Sequence, residues 1–128
     1  MDATRVLAGA LAVNRIAFGV TYLARPEKAG PSWIGRVARA PGTQVMVRSQ
    51  AARDVALGLG ALWALAGQGG DPHSWMVAHA VADGVDTVAT FAARDRLPDS
   101  KALAISAAST VAAAVSAAGL RRVDSPVN

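Results

Sequence analysis

Long apolar stretches with sparse charge recur four times along the chain, at about residues 5–24, 45–67, 74–93 and 102–120. Each is about 19 to 23 residues long. At ~1.5 Å rise per residue, such a helix crosses the ~30 Å hydrocarbon core of a bilayer. Helices of soluble domains average ~11–12 residues, so four in succession at this length point to membrane spans. The segments between them carry helix-ending residues. Arg25-Pro26 closes the first stretch, and Gly67-Gln68-Gly69-Gly70-Asp71-Pro72 separates the second from the third. Leu97-Pro98-Asp99-Ser100 separates the third from the fourth and offers Asp99 or Ser100 as an N-cap. Period-2 alternation of β-branched residues is missing, so no strand is expected. The pattern predicts an all-α, four-helix transmembrane bundle, a single integral membrane domain over residues 1–128.

A soluble, alanine-rich four-helix bundle is the competing reading. The 30 alanines and a modest mean hydropathy favour it. It requires a polar outer face on every helix. The fourth stretch, ALAISAASTVAAAVSAAGL, has no charged residue, and the first has only Asn14 and Arg15 to break its apolar run. A cleaved signal peptide is not expected for the first stretch, because Arg5 alone precedes it and Arg15 interrupts it.

Composition narrows the picture further. At 128 residues the chain holds one domain, and 52% apolar against 17% charged residues excludes a disordered chain. Without cysteine there is no disulfide scaffold, thiolate metal site, iron–sulfur cluster or paired-cysteine oxidoreductase. The net charge of +4 resides largely in short connectors, which argues against a nucleic-acid footprint. The first and third connectors hold Arg25, Lys28, Arg36, Arg39, Arg94, Arg96 and Lys101, while the opposite side holds Arg5, Arg121 and Arg122. The positive-inside rule then places those connectors in the cytoplasm and both termini outside a bacterial inner membrane. Within the first connector, Trp33, Ile34 and Val37 share one side of a short amphipathic stretch, which suits either a helix in the headgroup layer or a plain basic loop.

The informative residues are the charges within the stretches: Arg15, Arg53, Asp54, Asp83 and Asp86. A charge in hydrocarbon costs at least ~2.5–3.5 kcal/mol, so such residues face the bundle interior and pair. Helical periodicity puts His79, Asp83, Asp86 and Thr90 on one stripe of the third helix, and Arg53 and Asp54 on either side of Gln50 and Leu57 on the second. Arg15 aligns with Ala8, Gly19 and Tyr22 on the first. Counted from the cytoplasmic ends, all five charges fall about 10–15 Å deep, in one layer. Arg48 lies on the far side of its helix and snorkels to the interface. Ser106, Ser109, Thr110 and Ala113 give the fourth helix a small, uncharged packing face. Two cations against three anions leave the layer one positive charge short, to be supplied by a proton, a protonated His79 or a bound cation.

Asn14-Arg15-Ile16-Ala17-Phe18-Gly19 with Tyr22-Leu23-Ala24-Arg25-Pro26, Arg48 through Arg53-Asp54 to Gly58-Leu59-Gly60, and Asp83-Gly84-Val85-Asp86-Thr87 resemble the DoxX-like small four-helix membrane proteins, closest to an uncharacterised bacterial, actinobacterial branch. The resemblance implies a four-helix membrane bundle with Arg15, Arg53, Asp54, Asp83 and Asp86 as the shared polar set. It also implies a link to quinone-coupled membrane redox complexes, without assigning a reaction.

Other signals carry less. Gly58-Leu59-Gly60 lies inside a helix and reads as close packing, not a phosphate loop. His73 and His79 do not make a metal site, and no Ser-His-Asp arrangement is apparent. Trp33, Trp63 and Trp75 read as interfacial anchors. The expected protein is a small membrane component, accessory or partner-binding, with no cofactor. The alternatives are a membrane enzyme or redox subunit acting on a quinone- or isoprenoid-like substrate, or a proton- or ion-coupled carrier. As an enzyme it would use Asp83 or Asp86 as acid/base and Arg15 or Arg53 as anion stabilisers, with Asp54, His79, Tyr22 and Gln50 binding ligand. The expected partners are the lipid bilayer, a second copy or another membrane protein, and a hydrophobic small molecule.

Overall fold

A computed structural model describes residues 2–97 and 101–123. Among these the chain is all-helical, with no strand. In chain order the helices are α1 (Ala3–Ala24), α2 (Pro26–Ala29), α3 (Pro31–Ile34), α4 (Pro41–Leu65), α5 (Pro72–Ala93) and α6 (Lys101–Val123). Two 3₁₀ turns, Gly35–Arg39 and Arg94–Arg96, complete the path. The N-cap expected at Asp99 or Ser100 lies outside the described residues.

Helix ends follow local chemistry. α4 starts four residues before the expected position because Pro41 occupies its first turn, where the missing N–H needs no partner. It stops where Gly67 takes φ +82°, a conformation that closes a helix and suits glycine. α5 opens on Pro72 behind an Asp71 cap. Asp71 Oδ1 accepts from the His73 backbone N–H at 2.9 Å, and its Oδ2 accepts from the Ser74 N–H at 3.2 Å and the Ser74 hydroxyl at 2.9 Å. The His73 N–H, aided by Ser74, holds this carboxyl below the usual carboxylate range. The first connector is neither a single short helix nor a plain loop, but two single-turn helices and a 3₁₀ turn.

The four long helices associate as two close pairs, α1 with α4 and α5 with α6, which meet along lesser α1–α6 and α4–α5 contacts. Glycine makes the first pair possible. A Cβ on Gly19 would sit 2.7 Å from the Ala51 carbonyl oxygen, and one on Gly58 would sit 2.7 Å from that of Ala12. The helices therefore approach backbone to side chain without an intervening layer. Gly60 does the same for α5, lying against the indole of Trp75.

A small-residue core of Ala8, Ala12, Ala61, Met76, Ala117 and Leu120 closes the end where α1 and α5 begin. Arg5 Nη2 donates to the Leu65 carbonyl at 2.9 Å, and His73 Nδ1 stands 2.8 Å from the Ala117 carbonyl oxygen at this same end.

The surface is apolar. Val6, Leu7, Val13, Phe18 and Val20 of α1, Val77, Val81, Val85 and Val88 of α5, and Ile105, Val111 and Val115 of α6 are all exposed. On α5 the valines recur at spacings of four, four and three, one helical stripe, while His79, Asp83 and Thr90 on the opposite stripe are buried. Two helices, Ala3–Ala24 and Lys101–Arg121, are long and apolar enough to cross a membrane. The charged residues on α4 and α5 hold those helices below the same measure.

The tryptophans divide. Trp63 is exposed near the end of α4, as expected for an anchor. Trp75 instead packs on Gly60 and donates Nε1–H to the Gly69 carbonyl at 2.9 Å. Trp33 turns inward with Ile34, whereas Val37 faces out, so the three do not share a side.

Candidate functional site

Three helices bring their charges to one place. Arg15 of α1 reaches Asp54 of α4 with Nη1 at 2.7 Å and Asp83 of α5 with Nη2. Arg53 of α4 reaches Asp86 of α5, Nη2 to Oδ2 at 2.7 Å and Nη1 to Oδ1 at 3.4 Å, and shares Asp54 Oδ1 with Arg15 at 3.1 Å. Gln50 completes the chain by donating Nε2–H to Asp86 Oδ2 at 2.7 Å. The result is one line of alternating charge: Asp83, Arg15, Asp54, Arg53, Asp86, Gln50. Arg15 and Asp83 side chains are nine-tenths buried, Arg53 about two-thirds. Two guanidiniums against three carboxylates leave a net charge of −1 in the line.

The geometry bears on the roles expected of these residues. All four terminal guanidinium nitrogens are engaged by carboxylates. Each terminal nitrogen carries two N–H groups, so Arg15 keeps one N–H on Nη1 and one on Nη2 beyond its bonds to Asp54 and Asp83. The carboxylates keep spare capacity. Arg15 and Arg53 use Oδ1 of Asp54, and Arg15 uses Oδ1 of Asp83; among the described residues neither Oδ2 takes a hydrogen bond from a side chain.

Arg15, Asp54, Asp83, Asp86 and Gln50 of this line floor a cavity of about 440 Å³ between the two helix pairs. His79, Asp83, Asp54 and Asp86 lie at its inner end, and Tyr22, Trp33 and Ile34 at the end toward the first connector. Leu11, Phe18, Met46 and Ile105 give it apolar walls. The volume falls in the ~300–1,000 Å³ range of small-molecule sites. Tyr22 does not join the ion line. Its hydroxyl lies 3.2 Å from Ser32 Oγ and its ring stacks on Phe18, centroids 6.2 Å apart. The stacking residue and the connector end were not visible as site parts in the sequence, where Trp33 and Ile34 carried only an amphipathic signal.

His79 is 1% exposed and lines the cavity, and its Nε2 has no hydrogen-bond partner. Nε2 of the neutral ring donates or accepts according to the tautomer. No serine reaches Nε2: Ser106 Oγ donates back to the Ala102 carbonyl at 2.7 Å. Outside the cavity lining, the Thr87 and Thr110 hydroxyls lie 3.1 Å apart and join α5 to α6. Among the described residues no group of three or more His, Asp or Glu side chains is arranged to hold a metal ion.

No family model, curated protein or solved structure matches this chain. The site must therefore be read from its own chemistry.

Proposed function

We propose that the chain is a small integral membrane protein whose four long helices span the bilayer and hold a hydrophobic small molecule in the cavity above the Arg/Asp line. The observation that carries this is an inverted distribution of polarity. Valines at 77, 81, 85 and 88 face outward on the same helix that turns His79, Asp83 and Asp86 inward. A water-exposed helix would be expected to present the opposite arrangement. In hydrocarbon it is the arrangement that leaves charges paired and the outer surface compatible with lipid tails. The DoxX-like motifs around Arg15, Arg53 and Asp83 agree with this architecture, and the excess of basic residues in the first and third connectors favours a cytoplasmic position for the cavity mouth.

The cavity favours ligand binding over a purely structural layer. Ion pairs that served only to fix helix register would need no accessible volume beside them and would leave no buried imidazole nitrogen unpartnered. The test has two parts. The chain should stay in the pellet after alkaline carbonate washing of membranes and enter solution only with detergent. Native mass spectrometry of the detergent-released protein should then show an apolar adduct that a Ser109→Phe substitution, which fills the cavity, removes. Recovery in the aqueous fraction without detergent overturns the membrane reading; identical adduct-free spectra for both proteins overturn the ligand reading.

A further inference from the structure

The cavity floor is unusual in what it lacks. Its terminal guanidinium nitrogens each already serve a carboxylate, its carboxylates hold open oxygens, and its buried histidine has an unpartnered Nε2. Arg53 Nε and Ser116 Oγ are also buried without partners, but neither residue lines the cavity; among the described residues only His79 combines both properties. A ligand reaching this floor therefore meets the unpartnered His79 Nε2 and the unoccupied oxygens of Asp83 and Asp54. It also meets a line of groups carrying one uncompensated negative charge. An apolar-walled site of this kind disfavours carboxylates and phosphates, because each would add charge of the same sign and leave the open aspartate oxygens unpaired.

We propose that the cavity binds lipophilic primary or secondary ammonium ions. The N⁺–H groups donate to Asp83 and to His79 Nε2, with the ring proton on Nδ1, the charge completes the balance of the Asp83–Arg15–Asp54–Arg53–Asp86 line, and the hydrocarbon tail lies along Leu11, Phe18 and Ile105. Charge-assisted hydrogen bonds at a desolvated site are the strong ones, so the cation is favoured over a neutral alcohol of equal length. This assignment rests on the membrane and cavity reading above and goes beyond it by fixing the chemical class of the head group.

The test uses the full chain in dodecyl maltoside, with n-octylammonium chloride, n-octanol, sodium octanoate and octyltrimethylammonium chloride added at equal micellar mole fraction. Binding is read as the shift of melting temperature followed by tryptophan emission. Octylammonium should raise the melting temperature and bind at least about tenfold more tightly than octanol, the worth of one charge-assisted hydrogen bond at a buried site. Octyltrimethylammonium, which has the charge but no N–H, should bind more weakly than octylammonium, and octanoate should give no shift. Asp83→Asn should erase the preference of the amine over the alcohol. Should that variant not fold, Ser109→Phe, which leaves the ion line intact, should abolish the shifts from both amine and alcohol. Equal binding of octanol and octylammonium overturns the ammonium proposal while leaving the hydrophobic-ligand reading in place. A shift from octanoate, or Ser109→Phe responding to octylammonium like the native chain, overturns it as well. No response to any of the four, from a protein that still resists carbonate extraction, removes the proposal and spares the membrane reading.

Discussion

Asp54 Oδ1 lies 2.7 Å from Nη1 of Arg15, a residue 39 positions earlier on another helix. The same oxygen takes Arg53 Nη2 at 3.1 Å, so one atom joins both guanidiniums and makes the ion line continuous. Removing a central member leaves its neighbours buried and uncompensated, which costs far more than the pair itself contributes. Arg15→Met, close in length but neutral, strands Asp83 and leaves Asp54 with Arg53 alone. It should lower stability by about 3–5 kcal/mol, seen as a fall in melting temperature in detergent. A melting curve matching the native chain would show that the line contributes little.

The α1–α4 contact gives a second prediction. A methyl on Gly58 meets the Ala12 carbonyl and the Ile16 side chain, so the helices must part. Gly58→Ala should cost about 1–3 kcal/mol by overpacking. Gly42→Ala, in the first turn of the same helix with open space around it, should be neutral or gain up to about 1 kcal/mol from the loss of backbone freedom in the unfolded chain. Thermal unfolding of the two variants side by side separates packing from propensity.

Outward valines test the environment of the helices. Val85, 60% exposed, faces away from the ion line. In hydrocarbon, Val85→Lys should cost about 2.5–3.5 kcal/mol on insertion scales and deplete the protein from carbonate-washed membranes. Val37→Lys, equally exposed but in the first connector, should leave that amount unchanged. Equal recovery of both variants would show that α5 faces water.

The Asp71 cap predicts a pH dependence. Its folded carboxyl is held below the ordinary range by the His73 and Ser74 donors, so its contribution is complete above the unfolded carboxylate pKa and disappears as the pH falls through the lowered folded value. Asp71→Ala should lose about 0.5–1 kcal/mol at neutral pH, the low end expected for an exposed cap. Melting temperatures of the native chain and the variant should converge in acid; a gap that is unchanged from neutral pH down to the acid limit would show that the carboxylate does not act as the cap.

Much of the architecture was legible because helices announce themselves by period. The stripe His79, Asp83, Asp86 and Thr90 is a matter of 100° steps, and the common level at which Arg15 and Arg53 meet the aspartates follows from counting residues from helix ends. Which carboxylate each guanidinium would take was not legible, because all three lie within reach and the choice depends on side-chain packing. The start of α4 was missed because Pro41-Gly42-Thr43-Gln44 has the composition of a turn, although proline is well suited to a first helical turn. Trp33 and Ile34 were read by amphipathicity alone, and their place over the cavity comes from two single-turn helices whose orientation has no periodic signal. Trp75 was read as an anchor by its distance from a helix end; its partners Gly60 and Gly69 are brought to it only by the α4–α5 turn.

Both arginines of the ion line belong to the α1–α4 pair, and two of the three aspartates belong to the α5–α6 pair. Cut within Gly67–Gly70, the chain would give two hairpins whose buried layers carry opposite net charge, +1 and −2. Each would bury uncompensated charge alone and is the other's natural counter-ion, so co-expressed halves have an electrostatic reason to find one another and, with charge on only one level, a single register in which to meet.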